Sequence, residues 1–284
     1  MSVTTKATIA SFGGKLLKLS HNATTTRCEM GFNLYLPPKA DSQKVPVLIY
    51  LSGLTCTADN CSEKGFFQHA ASKKGIAVLY PDTSPRGLNI EGEDDSYDFG
   101  TGAGFYVDAT KPPYNNGYNM YSYITEELPK TVFAAFPQLD SSKVSITGHS
   151  MGGHGALTLF LQNPGKYLSV SAFAPICNPI NCPWGQKAFK GYFGEDQEKW
   201  KEHDATELLK KWTDKDLDIL IDVGTGDNFY KQGQLLPENL QAVASEKGFA
   251  NVKVNYQPDY DHSYYFMASF ADDHVAHAAK AFGK

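Results

Sequence analysis

The sequence predicts an α/β protein with a mostly parallel central sheet covered by helices on both faces. Three observations point there. Short apolar runs recur along the chain at 45–51, 76–80, 144–146, 170–173, 217–223 and 252–256, and each is closed by turn residues. Runs of this length suit strands buried on both faces. Helix-length segments lie between them, and alternation of the two is the pattern of a parallel sheet. No Gly/Ser- or Pro-rich linker and no internal repeat divides the sequence, so a single domain, 1–284, is expected.

The elements follow in order. Segments 15–21 and 28–35 alternate enough to form antiparallel strands. VPVLIYL (45–51) runs into Ser52-Gly53, and IAVLY (76–80) into Pro81-Asp82. Helices are expected at 67–74, 120–136, 153–163, 236–246 and 264–282, with Pro129 kinking the second. Chemistry is expected at the carboxyl ends of the parallel strands.

Composition excludes several classes. A chain of 284 residues with 20% charged and 13% aromatic residues is not disordered. No apolar run approaches the ~20 residues of a membrane span, and the first twenty residues do not read as a signal peptide. Five cysteines, an odd and sparse count, argue against a disulfide framework and for a reducing compartment. A net charge of −5 with no basic tract argues against nucleic acid or an acidic membrane as partner.

The strand at 144–146 leads into Gly148-His149-Ser150-Met151-Gly152, a G-x-S-x-G between a strand and a helix. Such a turn is sharp and strained, and the glycines let strand and helix close in. Ser150 is the candidate nucleophile. The next helix start would place positive potential under developing oxyanion charge.

A serine hydroxyl needs a base. In this architecture the acid and then the histidine follow the serine. His262 lies between the strand at 252–256 and the last helix, and is the candidate base. His274 and His277, three apart on that helix, read as a solvated face. His149, next to Ser150, is expected to point away from it, and His154 to pack on the sheet. The acid must orient the imidazole. Asp227, in the loop after 217–223, is the choice. Asp222 is a weaker second, buried inside its strand without evident reason, and Asp261 is too close in sequence to His262. The oxyanion donors are expected to be the backbone N–H groups of Met151 and of Leu54, with Gly53 making the turn that aims the latter.

With these pieces in place the chain resembles the S-formylglutathione hydrolases, also called esterase D. The resemblance runs through LSGLTCT (51–57), PDTSPRG (81–87), DFGTGAGFYVDAT (98–110), MYSYITEELP (120–129), GHSMGGHGAL (148–157), SVSAFAPICNPINCPWGQKAF (169–189), DILIDVGTGDNFY (218–230) and YDHSYYF (260–266). It covers nearly the whole chain from about Cys28. It implies an α/β-hydrolase fold and hydrolysis of S-formylglutathione to glutathione and formate, the last step of glutathione-dependent formaldehyde detoxification. It further implies activity on short-chain carboxylic esters, a cytoplasmic location, no cofactor and commonly a homodimer. Carried over by motif, the triad falls on Ser150, Asp227 and His262 and the oxyanion donors on Leu54 and Met151. Relatives often read D-Q-G-x-x-D-x-F where this chain has Val223 after Asp222, a departure that does not touch Asp227. The resemblance also places Cys56 near the site, as a thiol whose modification would impair the enzyme without its being the nucleophile. Trp184 is expected on a loop over the site, shaping the acyl pocket or simply core.

Competing readings are a general short-chain carboxylesterase with another natural substrate, an acyltransferase, and a non-catalytic binding module. Two C-x₄-C pairs, Cys56/Cys61 and Cys177/Cys182, are not read as a zinc site. Gly100–Phe105 is not read as a dinucleotide loop, because an acidic stretch precedes it where a buried strand is required. The Asn22 sequon matters only in a secreted protein.

Overall fold

The computed structural model describes residues 2–214 and 216–284. Nine strands form one sheet: β1 (Thr4–Ser11), β2 (Gly14–Ala23), β3 (Cys28–Leu36), β4 (Val45–Leu51), β5 (Ala77–Pro81), β6 (Leu139–His149), β7 (Val170–Phe173), β8 (Ile219–Gly224) and β9 (Val252–Gln257). Their order is β1-β2-β3-β5-β4-β6-β7-β8-β9. From β1 to β5 neighbours are antiparallel. From β5 to β9 they are parallel.

The α-helices are α1 (Ala58–Lys64), α2 (Phe67–Lys74), α3 (Met120–Ser122), α4 (Leu128–Ala135), α5 (Met151–Gln162), α6 (Pro183–Phe193), α7 (Gln197–Trp200), α8 (Ala205–Lys211), α9 (Asn228–Lys231), α10 (Pro237–Lys247) and α11 (Tyr264–Ala281). They cover both faces, as β7 makes plain, because side chains alternate across a strand. Ala172 lies toward Gly153 of α5. Phe173 meets Phe67 of α2 and His274 of α11. β4, β5 and β7 are buried throughout, and β6 is buried from Val144 onward.

Four departures from expectation have local causes. β1 carries no apolar alternation and is mostly exposed. It forms because Phe12 and Gly13, at φ 44° and 76°, close a two-residue hairpin onto β2, the geometry that a type I′ turn demands. β6 reaches back to Leu139, but three residues of that extension, Ser141 to Lys143, are exposed, which hid it from an apolar-run search. Segment 120–136 does not simply kink at Pro129. A π-helical turn, Tyr123–Glu127, joins α3 to α4. There Leu128 N–H donates to Tyr123 C=O, and the widened turn absorbs the donor and space that proline lacks. Trp184 is not on a loop: it is the second residue of α6, whose first residue is Pro183.

The expected solvated face at His274 and His277 is also overturned. His274 is fully buried, its ring stacked 3.6 Å from that of Phe173. Its Nε2 is 2.8 Å from Asp222 Oδ2. Asp222 also accepts a hydrogen bond from Gln257 Nε2. The buried carboxylate in β8 therefore has its reason in α11, one turn of chain the sequence could not align with it. His277 is partly buried and its Nε2 lies 3.1 Å from Val170 C=O.

Candidate active site

Ser150 caps α5 with φ 58° and ψ −119°. This is a left-handed-side conformation that costs a non-glycine residue of order 1–3 kcal/mol and persists only when its surroundings fix it. They do so at both ends. Ser150 N–H donates to Phe173 C=O at 2.9 Å, and Ser150 C=O accepts from His154 N–H at 3.0 Å. Gly152 is obligatory for close approach: a Cβ there would lie 2.0 Å from Leu51 C=O. The first turn of α5 is thus pressed directly onto the end of β4.

His262 follows β9, and its Nδ1 is 2.5 Å from Asp227 Oδ2. Asp227 is fully buried at the end of β8. Its other oxygen accepts from the Phe229 and Tyr230 amides at 2.7 and 3.3 Å, capping α9. The helix start therefore orients the carboxylate that orients the imidazole. Asp261 instead turns to Ser263, accepting from its N–H and Oγ–H.

Ser150 and His262 line one cavity of about 220 Å³, with Gly53, Leu54, Thr55, Cys56, Tyr97, His149, Trp184, Phe229 and Tyr264. Cys56 and Trp184 thus line the same cavity as Ser150. Among the described residues, neither the Leu54 nor the Met151 amide has a hydrogen-bond partner in the protein, which leaves both available to an oxyanion. Gly53 serves by proximity rather than by its turn: a Cβ there would sit 3.1 Å from Ser150 Cβ. The left-handed residue of this loop is Thr55, φ 68°. Thr55 N–H donates to Gly102 C=O at 2.9 Å. Cys56 C=O accepts from Thr83 Oγ1 at 2.6 Å and from Arg86 Nη2 at 3.1 Å. Arg86 is held in turn by Asp82, through Nε at 2.8 Å and Nη2 at 2.9 Å, and this pairing raises the guanidinium pKa further. The PDTSPRG and Gly100–Phe105 segments therefore act as scaffolding for the Leu54 loop.

His149 departs from expectation. It does not point away but lines the cavity, with its ring centroid 4.4 Å from that of His262. Burial first, and then His262 beside it, pull its pKa well below the ordinary histidine value. His154 is buried as expected but not on the sheet: Nε2 lies 3.0 Å from Phe105 C=O, and the ring packs near Phe189. Burial takes its pKa down to about 4.

Cys56 Sγ lies 3.6 Å from Tyr264 Oη, and burial raises its thiol pKa. A raised pKa makes it a poor thiolate at neutral pH. Cys61, by contrast, is wholly buried and does not line this cavity. Trp184 Nε1–H donates to Tyr97 Oη at 3.1 Å, and its ring packs 4.6 Å from Phe229. It both lines the cavity and joins the core. Tyr97, Phe229 and Tyr264 were not singled out from the sequence. Only Phe229, two residues after Asp227, and Tyr264, two after His262, carried a positional hint.

The family model "Esterase" matches residues 23–277. The chain is 57% identical over 269 residues to S-formylglutathione hydrolase of Rattus norvegicus, covering 95% of each. It is 54% identical over 271 residues to the Arabidopsis thaliana protein of that name, covering 95% of this chain and 94% of that one. A solved S-formylglutathione hydrolase from Agrobacterium tumefaciens superposes with a TM-score of 0.93 at 41% identity, covering 99% of both chains.

Proposed function

The chain belongs to the S-formylglutathione hydrolase family of α/β-hydrolase esterases, and from that membership we propose that it hydrolyses the thioester S-formylglutathione to glutathione and formate, with side activity on short-chain carboxylic esters. One observation carries the hydrolase chemistry: Ser150 on the elbow and His262 held by Asp227 open onto the same small cavity. The choice of a formyl thioester rests on the relatives of that name.

In the proposed mechanism Ser150 Oγ attacks the formyl carbonyl while His262 takes its proton. Asp227 holds the imidazole in the tautomer that carries hydrogen on Nδ1 and stabilises the imidazolium. The Leu54 and Met151 N–H groups receive the oxyanion, donors of a kind worth on the order of 3 kcal/mol each in the transition state. The imidazolium then delivers its proton to the departing glutathione sulfur. Water, deprotonated by the same histidine, attacks the formyl-enzyme, and collapse returns Ser150 and releases formate. A thiolate leaves readily, so oxyanion stabilisation and control of the serine proton are the main tasks. The aromatic walls of Trp184 and Phe229 keep the acyl side narrow, favouring formyl and other short acyl groups.

The proposal extends to a single hydrolase domain, without cofactor, working in the cytoplasm as a homodimer on a small-molecule substrate rather than on nucleic acid or a membrane. The charge balance of −5 with no basic tract is consistent with it. Cys56, on the cavity wall, is the thiol through which alkylation would inhibit, slowly at neutral pH because its raised pKa leaves little thiolate. Cys56→Ser should stay active and resist N-ethylmaleimide.

The test is turnover of S-formylglutathione beside 4-nitrophenyl acetate by the wild type and Ser150→Ala. The wild type should prefer the thioester, and Ser150→Ala should lose both activities by at least about three orders of magnitude together with covalent labelling by a fluorophosphonate. Preference for the simple ester would replace the thioester reading with that of a general carboxylesterase. Absence of wild-type labelling would remove the serine mechanism altogether.

A further inference from the structure

A second cavity, of about 530 Å³, is lined by Lys64, Phe66, Ser263, Tyr264, Tyr265 and Ala268. Tyr264 lines both this cavity and the one that holds Ser150. The two cavities therefore share the wall that Tyr264 forms. The first, at about 220 Å³, falls below the ~300–1,000 Å³ that encloses a ligand of drug size. A formyl group fits it, but a tripeptide does not.

The chemistry of the second cavity suits an anionic peptide. Lys64, at the end of α1, is exposed, and among the described residues it forms no ion pair. Its charge lies near enough to Cys56 to favour that thiolate, and Cys56 lines the first cavity. The Lys64 charge is thus felt at the wall of the first cavity as well. Of the nearby carboxylates, Glu63 pairs with Lys18 at 2.7 Å, and Asp261 accepts from Ser263, a residue of the cavity wall, and keeps its charge there. The walls are two outward aromatics. Phe66 is 56% exposed at φ 63°, and Tyr265 is 85% exposed. Large aromatics left in water beside an unpaired cation form a surface for a flat, charged ligand. Phe66 moreover keeps its exposed position in a backbone region that non-glycine residues seldom adopt.

We propose that this second cavity receives the thiol portion of the substrate, with Lys64 pairing with a carboxylate of the glutathione moiety and Phe66 and Tyr265 flanking its peptide planes. The inference rests on the thioester reading and adds the subsite that selects an anionic leaving group over a neutral one. Lys64 acts on binding, through an attraction that salt screens.

The experiment measures kcat and KM of wild type, Lys64→Gln and Lys64→Arg with S-formylglutathione and with 4-nitrophenyl acetate, at low and at 0.5 M salt. Lys64→Gln should lower the ratio of the two kcat/KM values about fivefold, the size expected of a partly exposed charge pair. The loss should fall on KM for the thioester rather than on kcat, Lys64→Arg should restore the ratio, and high salt should erase the difference between the variants. A ratio unaltered in Lys64→Gln, or a loss confined to kcat, overturns the subsite while leaving the thioester activity standing. Failure of the wild type to turn over S-formylglutathione overturns the function reading itself, and the subsite with it.

Discussion

The His149 imidazole leans on that of His262, their planes inclined at 44° and their centroids 4.4 Å apart. His149 Nε2 is buried with no hydrogen-bond partner among the described residues. A charged ring in that place would oppose charging of the proposed base, and burial keeps it neutral. Its contribution is then a wall that fixes where His262 sits. His149→Ala should lower kcat about ten- to a hundredfold, the scale of a small misplacement of reacting groups, with little change in KM. His149→Phe, which keeps a flat ring, should recover most of that loss. Steady-state kinetics on a short ester decides it, and equal rates for all three proteins would remove the wall.

Asp227 divides its oxygens between His262 and the start of α9. In Asp227→Asn the amide oxygen can still cap the helix, since asparagine caps as well as aspartate. Thermal stability should therefore change by less than about 1 kcal/mol. The carboxylate that stabilises the imidazolium is gone, so kcat should fall by about three to four orders of magnitude. Calorimetry and kinetics on the same preparation separate the two effects.

Arg86 supports the Leu54 loop at one remove, through Cys56 C=O. Removing it in Arg86→Ala leaves the loop held by Thr83 and Gly102 and leaves Asp82 largely buried without its ionic partner. Labelling by a fluorophosphonate should slow about tenfold or more, because a displaced oxyanion donor costs transition-state binding rather than ground-state binding. Arg86→Lys, lacking the planar fork, should recover only part of the rate. Unchanged labelling in Arg86→Ala would show that the loop holds itself.

Acid should destabilise the fold through its buried histidines. Burial lowers His154 and His203 to about 4 and His149 well below its ordinary value. Between about pH 6.5 and 4 the unfolded chain binds these protons and the folded one does not, so stability falls as pH falls. Each such proton contributes up to about 1.4 kcal/mol per pH unit. Asp204, raised to about 6 by burial, works in the opposite direction between about 6 and 3.8. His21, His274 and His277 are lowered by burial as well, so the histidines outweigh Asp204 and leave a net loss. Urea midpoints taken at pH 7, 6, 5 and 4 should decrease steadily. His154→Gln should flatten the dependence.

Much of the arrangement was legible because the chemistry is local. Ser150 was readable from glycines whose absence of side chains is enforced by backbone contact, and Asp227 and His262 from their places just past strand ends. Relations between distant segments were not. The Asp222–His274 pair joins β8 to α11 across 52 residues, and neither residue carries a pattern announcing the other. His149 lines the cavity beside its neighbour Ser150 because adjacent side chains diverge only along regular backbone, and Ser150 at φ 58° breaks it. Thr55, rather than Gly53, takes the left-handed conformation because Gly102 receives its amide, a contact beyond any local rule. β1 stayed hidden since a hairpin strand exposed on both faces needs no apolar alternation.

The strand that leads to His262 is the last in the sheet. β9 pairs with β8 on one side only, and each of its residues is at least partly exposed. Amide exchange protection tends to be least where few buried contacts hold a segment and greatest in the core. β9 and the turn after it therefore form a low-stability unit, while Ser150 hangs from the interior strands β6 and β7. Warming should fray the edge first, releasing the imidazole from a serine that is still in place. Activity would then disappear reversibly below the global melting temperature, with deuterium entering 252–262 ahead of 144–150.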